Sequence, residues 1–416
     1  MKILKAKGKN VRHYNFRVKP KKPPLMWLVH FLVWIVCIGR KIKIKFNGKK
    51  PKGKFLLLGN HASFNDFYAL FKSIKLMNLN YVVALDGFND MSNWLMRNIA
   101  AIAKRKFNSD LSLMKNMKYT IHELGNAVVM YPEARYSLDG TTSFLPESLG
   151  KLVKFLNVPV YTIILKGNYV SDPQWNKYKA NYIPLYSEVT ELITQEEIAT
   201  LSADEINARI QKSFEYDDWK WLKESGLKIT NKNRAKNLNA LLYQCPKCKQ
   251  EHKMVGEGTV LTCTHCNKSW NLNEDGTLTA INGETEFTHV PDWFKWQRQN
   301  VREEVRNGTY KMEAECEVYT LPSSMGFVKQ GKGKLYQDAN GTRLTVNLYG
   351  EDKVIEYKGT QLESVHIEYN YKNECDMFDF SIQGDSIWMS PLDKKDILTK
   401  VSIATEEIYF LAKENV

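Results

Sequence analysis

The chain lacks an apolar run long enough to cross a bilayer. Its best candidate, Leu25–Ile38, is fourteen residues long, about 21 Å of helix against a hydrocarbon core of about 30 Å. Acid is missing from the start of the chain, where residues 1–54 hold seventeen Lys or Arg and no Asp or Glu. The other 42 basic residues face 46 acidic ones, so the net charge of +13 belongs to the N-terminus and not to the whole molecule. Cysteine is sparse: of seven in 416 residues, only Cys37, Cys316 and Cys375 stand outside one cluster. That distribution argues against a disulfide framework and for a reducing compartment. No small-x-small site follows the apolar run, since Gly39-Arg40-Lys41 is wrong for signal cleavage. There is no internal repeat and no low-complexity tract.

What stands in the basic segment is a short apolar helix with cations at both ends, Pro23-Pro24 before it, and Trp27 and Trp34 suited to a headgroup boundary. The expectation is an amphipathic membrane helix within residues 1–54, lying in one leaflet. Its flanking cations would meet anionic lipid at about 1 kcal/mol each. A nucleic-acid arm would not need the apolar run, so no nucleic-acid partner is expected. The localisation this implies is the cytoplasmic face of the cell membrane.

The run Phe55–Leu58 reads as a buried strand, and His61-Ala62-Ser63-Phe64-Asn65-Asp66 follows at its end. An imidazole titrates near neutrality and can take a proton from a hydroxyl. A carboxylate beside it fixes the tautomer and stabilises the imidazolium. A second run, Val128–Tyr131, breaks at Pro132 into Glu133-Ala134-Arg135-Tyr136-Ser137, and a third, Val158–Leu165, follows a short helix. In open α/β sheets ligands bind beyond the carboxyl ends of strands, so two polar strand ends reinforce each other. Apolar runs alternate with amphipathic segments from Phe55 onward. These include strands near 81–85 and 127–131 and helices over 66–76 and 91–102, an α/β pattern over 55–235. Leu113, Met114, Met117, Ile121 and Leu124 share one helical face and read as core. Ser202 with Glu205 is a capping box. Asp217, Asp218 and Lys220 alternate with Trp219 and Trp221, as on a surface helix closing the domain.

The His-x4-Asp block, Tyr131-Pro132-Glu133-Ala134-Arg135-Tyr136-Ser137 and Val158-Pro159-Val160, in that order, resemble the glycerolipid acyltransferase superfamily over residues 55–166. The resemblance implies an α/β acyltransferase domain that moves an acyl group from acyl-CoA or acyl carrier protein to a lysolipid hydroxyl, as the lysophosphatidic acid acyltransferases do. His61 would be the base and Asp66 its orienter, with Asn60 near the developing oxyanion. The family's arginine block falls on Lys104-Arg105-Lys106, where Arg105 suits a phosphate. Glu133, Arg135 and Ser137 belong to the head-group block. The chain departs from the family there: Ala134 takes a glycine position, Arg135 comes one residue early, and Tyr136 stands where arginine is expected. Glu147-Ser148 replaces a Phe-Lys pair, and Lys151 is the charge that would compensate.

Cys245-Pro246-Lys247-Cys248 and Cys263-Thr264-His265-Cys266 are fourteen residues apart. Two such knuckles on a β-ribbon place four thiolates tetrahedrally, the pattern of a closed structural Zn2+ site over 240–275. Residues 290–416 alternate with period two between turn signals and end in a helical stretch, so a small mostly-β domain, a barrel or sandwich, is expected. That module or the ribbon would suit a protein partner. The rival to catalysis is a lipid-binding or regulatory scaffold on the same fold.

Overall fold

The structure, a computed structural model, describes residue 3 and residues 17–74, 79–107, 111–176, 183–382, 384–394 and 396–414. The apolar runs of the first half form strands whose residues are buried on both faces, which is why they read as continuous rather than alternating. The N-terminal helix α1 (Pro23–Val36) leads into β1 (Ile42–Asn47), then β2 (Leu56–Gly59) and α2 (Asn65–Ser73). There follow β3 (Leu79–Ala84), α3 (Leu85–Met91), α4 (Asn93–Asn98), β4 (Ile102–Lys104), α5 (Leu111–His122) and β5 (Ala127–Met130). The domain continues through α6 (Leu149–Leu156), β6 (Val160–Lys166), α7 (Asn168–Ser171), β7 (Leu185–Ile193), α8 (Gln195–Thr200), α9 (Ala203–Ser213) and α10 (Asp218–Ser225).

The strand order is β1-β7-β6-β2-β5-β3-β4, with β7 antiparallel to β6 and every other pair parallel. This order sets the carboxyl ends of β5, β2 and β6 side by side at the middle of the sheet. The helix expected over 91–102 is shorter: α4 opens only after Ser92, whose φ of 85° separates it from α3, and it ends before β4 begins at Ile102. Leu113, Met117 and Ile121 are core, with Leu124 packed against them, as the periodicity implies, whereas Met114 of the same expected face is only half-buried and outside that cluster. The capping box at Ser202 and Glu205 is formed. The expected surface helix at 217–221 is not one: Asp217 caps α10, while Asp218 and Trp219 are buried.

No helix among the described residues is long and apolar enough to cross a membrane. Helix α1 lies against α2, with Met26, Val29, Val33 and Cys37 meeting Phe67 and Phe71. Trp27, Phe31, Leu32, Trp34 and Ile35 remain exposed on its other side.

Beyond the α/β domain, β8 (Met254–Glu257), β9 (Val260–Cys263), β10 (Ser269–Leu272) and β11 (Leu278–Ala280) form an antiparallel ribbon. Helix α11 (Val290–Arg306) leads to seven antiparallel strands: β12 (Lys311–Ser323), β13 (Gly326–Asp338), β14 (Gly341–Leu348), β15 (Glu351–Lys358), β16 (His366–Tyr371), β17 (Cys375–Ile382) and β18 (Asp385–Pro391). Helix α12 (Leu398–Glu414) ends the fold. These strands make one open sheet, ordered β15-β14-β13-β12-β18-β17-β16, and not the barrel or sandwich that their alternation suggested. Closure fails because edge strand β15 buries no side chain and carries Glu351, Asp352, Lys353, Glu356 and Lys358. Each face of the sheet is covered instead. Leu335, Leu344, Ile367 and Phe380 pack with α11 and α12, while Leu321, Phe327, Met377 and Trp388 pack on Leu85, Phe88 and Met96 of the α/β domain.

Candidate active site

His61 lies two residues past the end of β2, and its backbone is held from both sides by the loop that follows β5. Its N–H donates to Glu133 Oε1 (3.0 Å), and its carbonyl accepts from the Ser137 N–H (2.7 Å). Glu133 Oε2 accepts from the Ser143 N–H at 3.0 Å, so this carboxylate ties three segments together. Burial pushes its pKa up to about 7 against these backbone donors. Ala134 explains the family's glycine: its φ is 57°, a left-handed turn that a Cβ disfavours. Gly59 is needed for a different reason. A Cβ there would lie 3.0 Å from the Tyr131 ring, which must lie flat on β2 to stack on His61 at a centroid distance of 4.1 Å. Tyr136 covers the imidazole from another direction at 4.2 Å.

Asp66, in the first turn of α2, is 1% exposed. Its Oδ2 accepts from His61 Nδ1 (2.7 Å), Ala62 N (2.7 Å) and Ser63 N (3.2 Å). With the backbone donors fixing Oδ2 as an acceptor, Nδ1 carries the proton and Nε2 is the nitrogen left to take one. The His61 side chain is 24% exposed, so a substrate hydroxyl can reach it.

The other Asp66 oxygen has a partner that the sequence reading missed. Asn168 Nδ2 donates to Oδ1 at 2.5 Å. Asn168 opens α7 just past β6, and that turn is gripped by Asp218, which accepts from the Gly167 N–H (3.0 Å) and the Tyr169 N–H (2.8 Å). Burial raises the Asp218 carboxyl to about 7. Residues 166–235 offer no motif for this. The only signal was an aspartate on the apolar side of a helix otherwise read as surface, next to Trp219.

The expected substrate contacts are placed differently. Asn60 is fully buried and turns its amide toward β6, donating to Leu165 O (2.9 Å) and accepting from Leu165 N (2.7 Å). Arg105 is buried under the C-terminal sheet, with Nη1 on Leu321 O and Nη2 on Pro322 O, each at 2.9 Å. Arg135 pairs with Glu406 of α12 at 2.6 Å and donates to Ser364 and Ser402. The Ser137 hydroxyl donates to Thr141 O within its own loop. Lys151 is exposed on α6, whose neighbours are α5 and α9. His61, Asp66, Glu133 and the Ser137 backbone are therefore brought together, whereas the cations are not brought to His61.

The four ribbon cysteines do come together. Cys245 and Cys266 Sγ are 3.7 Å apart, as are Cys248 and Cys263, and all four sulfurs lie within 4.8 Å of one another. A tetrahedral ion about 2.3 Å from each sulfur requires about 3.8 Å between sulfurs, and a disulfide about 2.05 Å. The set therefore fits a metal ion. The two knuckles repeat one geometry, with Lys249 N on Cys245 O and Asn267 N on Cys263 O, and a left-handed residue at Lys249 and at Asn267.

Residues 41–166 match the family model described as Acyltransferase. The matched segment includes His61, Asp66, the Glu133 loop and β6. Among solved structures the chain is similar to the 1-acyl-sn-glycerophosphate (LPA) acyltransferase PlsC from Thermotoga maritima. The identity is 14% and the TM-score 0.36, over 45% of this chain and 76% of that one. No curated protein matches the chain.

Proposed function

We propose that this protein is an O-acyltransferase that moves a fatty acyl group from a thioester, acyl-CoA or acyl carrier protein, to the free hydroxyl of a lysolipid. The observation that carries the reading is the His61–Asp66 pair at the end of the central strand, inside the segment that matches the acyltransferase family. His61 Nε2 takes the hydroxyl proton as the oxygen bonds to the thioester carbon. The carbon–sulfur bond then breaks, and the imidazolium returns the proton to the thiolate. Asp66 holds the ring and stabilises its charged form, and Asn168 holds Asp66. No covalent enzyme intermediate is required, because the donor is already activated and positioning supplies much of the rest.

Two further assignments accompany this. The exposed apolar side of α1 and the cations near it, Lys22, Arg40, Lys41 and Lys72, suit an anionic bilayer surface. The enzyme would thus act as a peripheral protein of the cytoplasmic membrane face. The four-cysteine ribbon would hold one structural Zn2+ and fix the ribbon against α11, without an open position for chemistry.

The test is acyl transfer from labelled acyl-CoA, and separately from acyl carrier protein, to a panel of lysolipids in mixed micelles. Transfer that His61→Ala abolishes is the expected result. Lipid binding without transfer from any donor would favour the scaffold reading instead.

A further inference from the structure

The family resemblance implies phosphate-binding cations at Arg105, at the position occupied by Tyr136, with Arg135 one residue early, and at the Phe-Lys pair replaced by Glu147-Ser148, with Lys151 nearby on α6. In this chain none of them presents a cation to His61. The Arg105 guanidinium is closed over by carbonyls of β12 and by Ser386 Oγ at 3.3 Å. Arg135 neutralises Glu406, a carboxylate 2% exposed that also receives Ser364 Oγ and Arg298. Pulling either arginine toward a ligand would strip a buried group of its partner. Both are held by a C-terminal sheet and helix that lie outside the matched segment.

What does approach the imidazole is the Tyr136 ring, and beyond it lies a charged cluster shared between the two domains. Lys106 Nζ meets Asp86 at 3.0 Å and His366 at 3.1 Å, and His366 meets Asp379 at 2.7 Å and Glu368 at 3.2 Å. Burial opposes ionisation of Asp86, but Lys106 and His366 bring its pKa below the ordinary carboxylate range. The cluster thus spends its lysine and histidine on its own three carboxylates, and the Tyr136 phenol is pushed well above its ordinary pKa first by burial and then by the negative charge of Glu368, Asp66 and Asp86. Arg40 approaches from α1 but donates to Asn65 Oδ1 at 2.7 Å and stacks on Tyr68 at 4.2 Å, on the outer side of α2. A phosphate monoester beside the acylated hydroxyl would meet a phenol near carboxylates, and among the described residues Arg105, Arg135 and Arg40 present no guanidinium fork to receive it.

We infer that the acceptor is a lipid with an uncharged, hydroxyl-bearing head group, and that the C-terminal domain, by holding Arg105 and Arg135, removes the selectivity for a phosphate. The inference rests on the acyl-transfer reading and narrows its acceptor. In neutral detergent micelles we expect kcat/KM for a monoacylglycerol or a monoacylated glycolipid to exceed that for lysophosphatidate by about tenfold or more. Calorimetric binding of the same lipids to His61→Ala should give the same order. Tyr136→Arg should narrow the gap by raising use of lysophosphatidate. Arg105→Ala should lower Tm and leave the acceptor ratio within about threefold.

Preference for lysophosphatidate in turnover or in binding overturns the inference, as does preference for an acceptor with an ammonium head group. So does an Arg105→Ala variant whose KM rises for lysophosphatidate alone. Absence of transfer to every acceptor would sink the acyl-transfer reading. The binding series on His61→Ala would then decide the head group by itself, with tighter binding of the uncharged lipids in favour and tighter lysophosphatidate binding against.

Discussion

Two of the histidine–aspartate pairs among the described residues have the same length and different surroundings. His61 Nδ1 meets Asp66 at 2.7 Å, and His366 Nδ1 meets Asp379 at 2.7 Å. His366 is 2% exposed and spends its second nitrogen on Glu368, with Lys106 against the ring. Burial and Lys106 both work against its protonation, yet its carboxylate neighbours raise its pKa on balance. It is a charged joint between domains. His61 is 24% exposed, and its second nitrogen is left for a substrate. The distance between imidazole and carboxylate therefore says little about catalysis. What separates a base from a strut is the state of the other nitrogen and the access of solvent to it.

That comparison can be broken at several points. The largest effect belongs to His61→Ala, which should lower kcat by about a thousandfold while the fold and lipid binding persist. Next comes Asn168→Ala. It frees one oxygen of Asp66 and should lower kcat by about tenfold to a hundredfold with little change in KM, and should move the limb of the pH–rate profile that reports the base. An Asn168 role confined to packing would change Tm and leave that profile where it was. His366→Ala strips a buried ionic cluster of one member and should cost about 3 kcal/mol in unfolding free energy. Activity per folded molecule should stay within about threefold.

A smaller, pH-linked effect follows from Glu133 and Asp218. Burial raises both pKa values to about 7 in the folded chain, from ordinary values of 4.5 and 3.8. The folded state then binds more protons than the unfolded one across that window. The associated stability is present in acid and is lost as pH rises from about 4 to about 7. Thermal unfolding followed from pH 5 to 8 should show this fall, and Glu133→Gln should flatten part of it. The smallest effect is a gain: Ala134→Gly relieves a left-handed alanine and should stabilise the protein by about 0.5–1 kcal/mol, read from denaturant midpoints.

How much of this could be read from the sequence differs sharply between regions. His61 and Asp66 lie five residues apart on one strand-to-helix turn, so spacing puts them within reach of each other, and the blocks at 131–137 and 158–160 singled the pair out. The four cysteines were legible for the same reason, since each knuckle is a single turn. Leu113, Met117 and Ile121 declared a core face through their period. Asn168 did not declare itself, because it meets Asp66 across 102 residues through the adjacency of β2 and β6. The partners of Arg105 and Arg135 were out of reach of the sequence on the same ground. Their partners Leu321, Pro322 and Glu406 lie more than two hundred residues away, and a guanidinium suits carbonyls and carboxylates as well as it suits phosphate. The open C-terminal sheet was missed because alternation marks each strand without saying whether the edges meet. What prevents closure is a charged edge strand, visible only once its neighbours are assigned.

The most direct test places the two pairs side by side. Transfer of a labelled acyl group from acyl-CoA to lysolipid micelles would be followed for wild type, His61→Ala and His366→Ala, each normalised to folded protein. Loss to background in His61→Ala with near wild-type transfer in His366→Ala is the predicted result. Transfer that survives His61→Ala, or that fails equally in both variants, would contradict the assignment of His61 as the base.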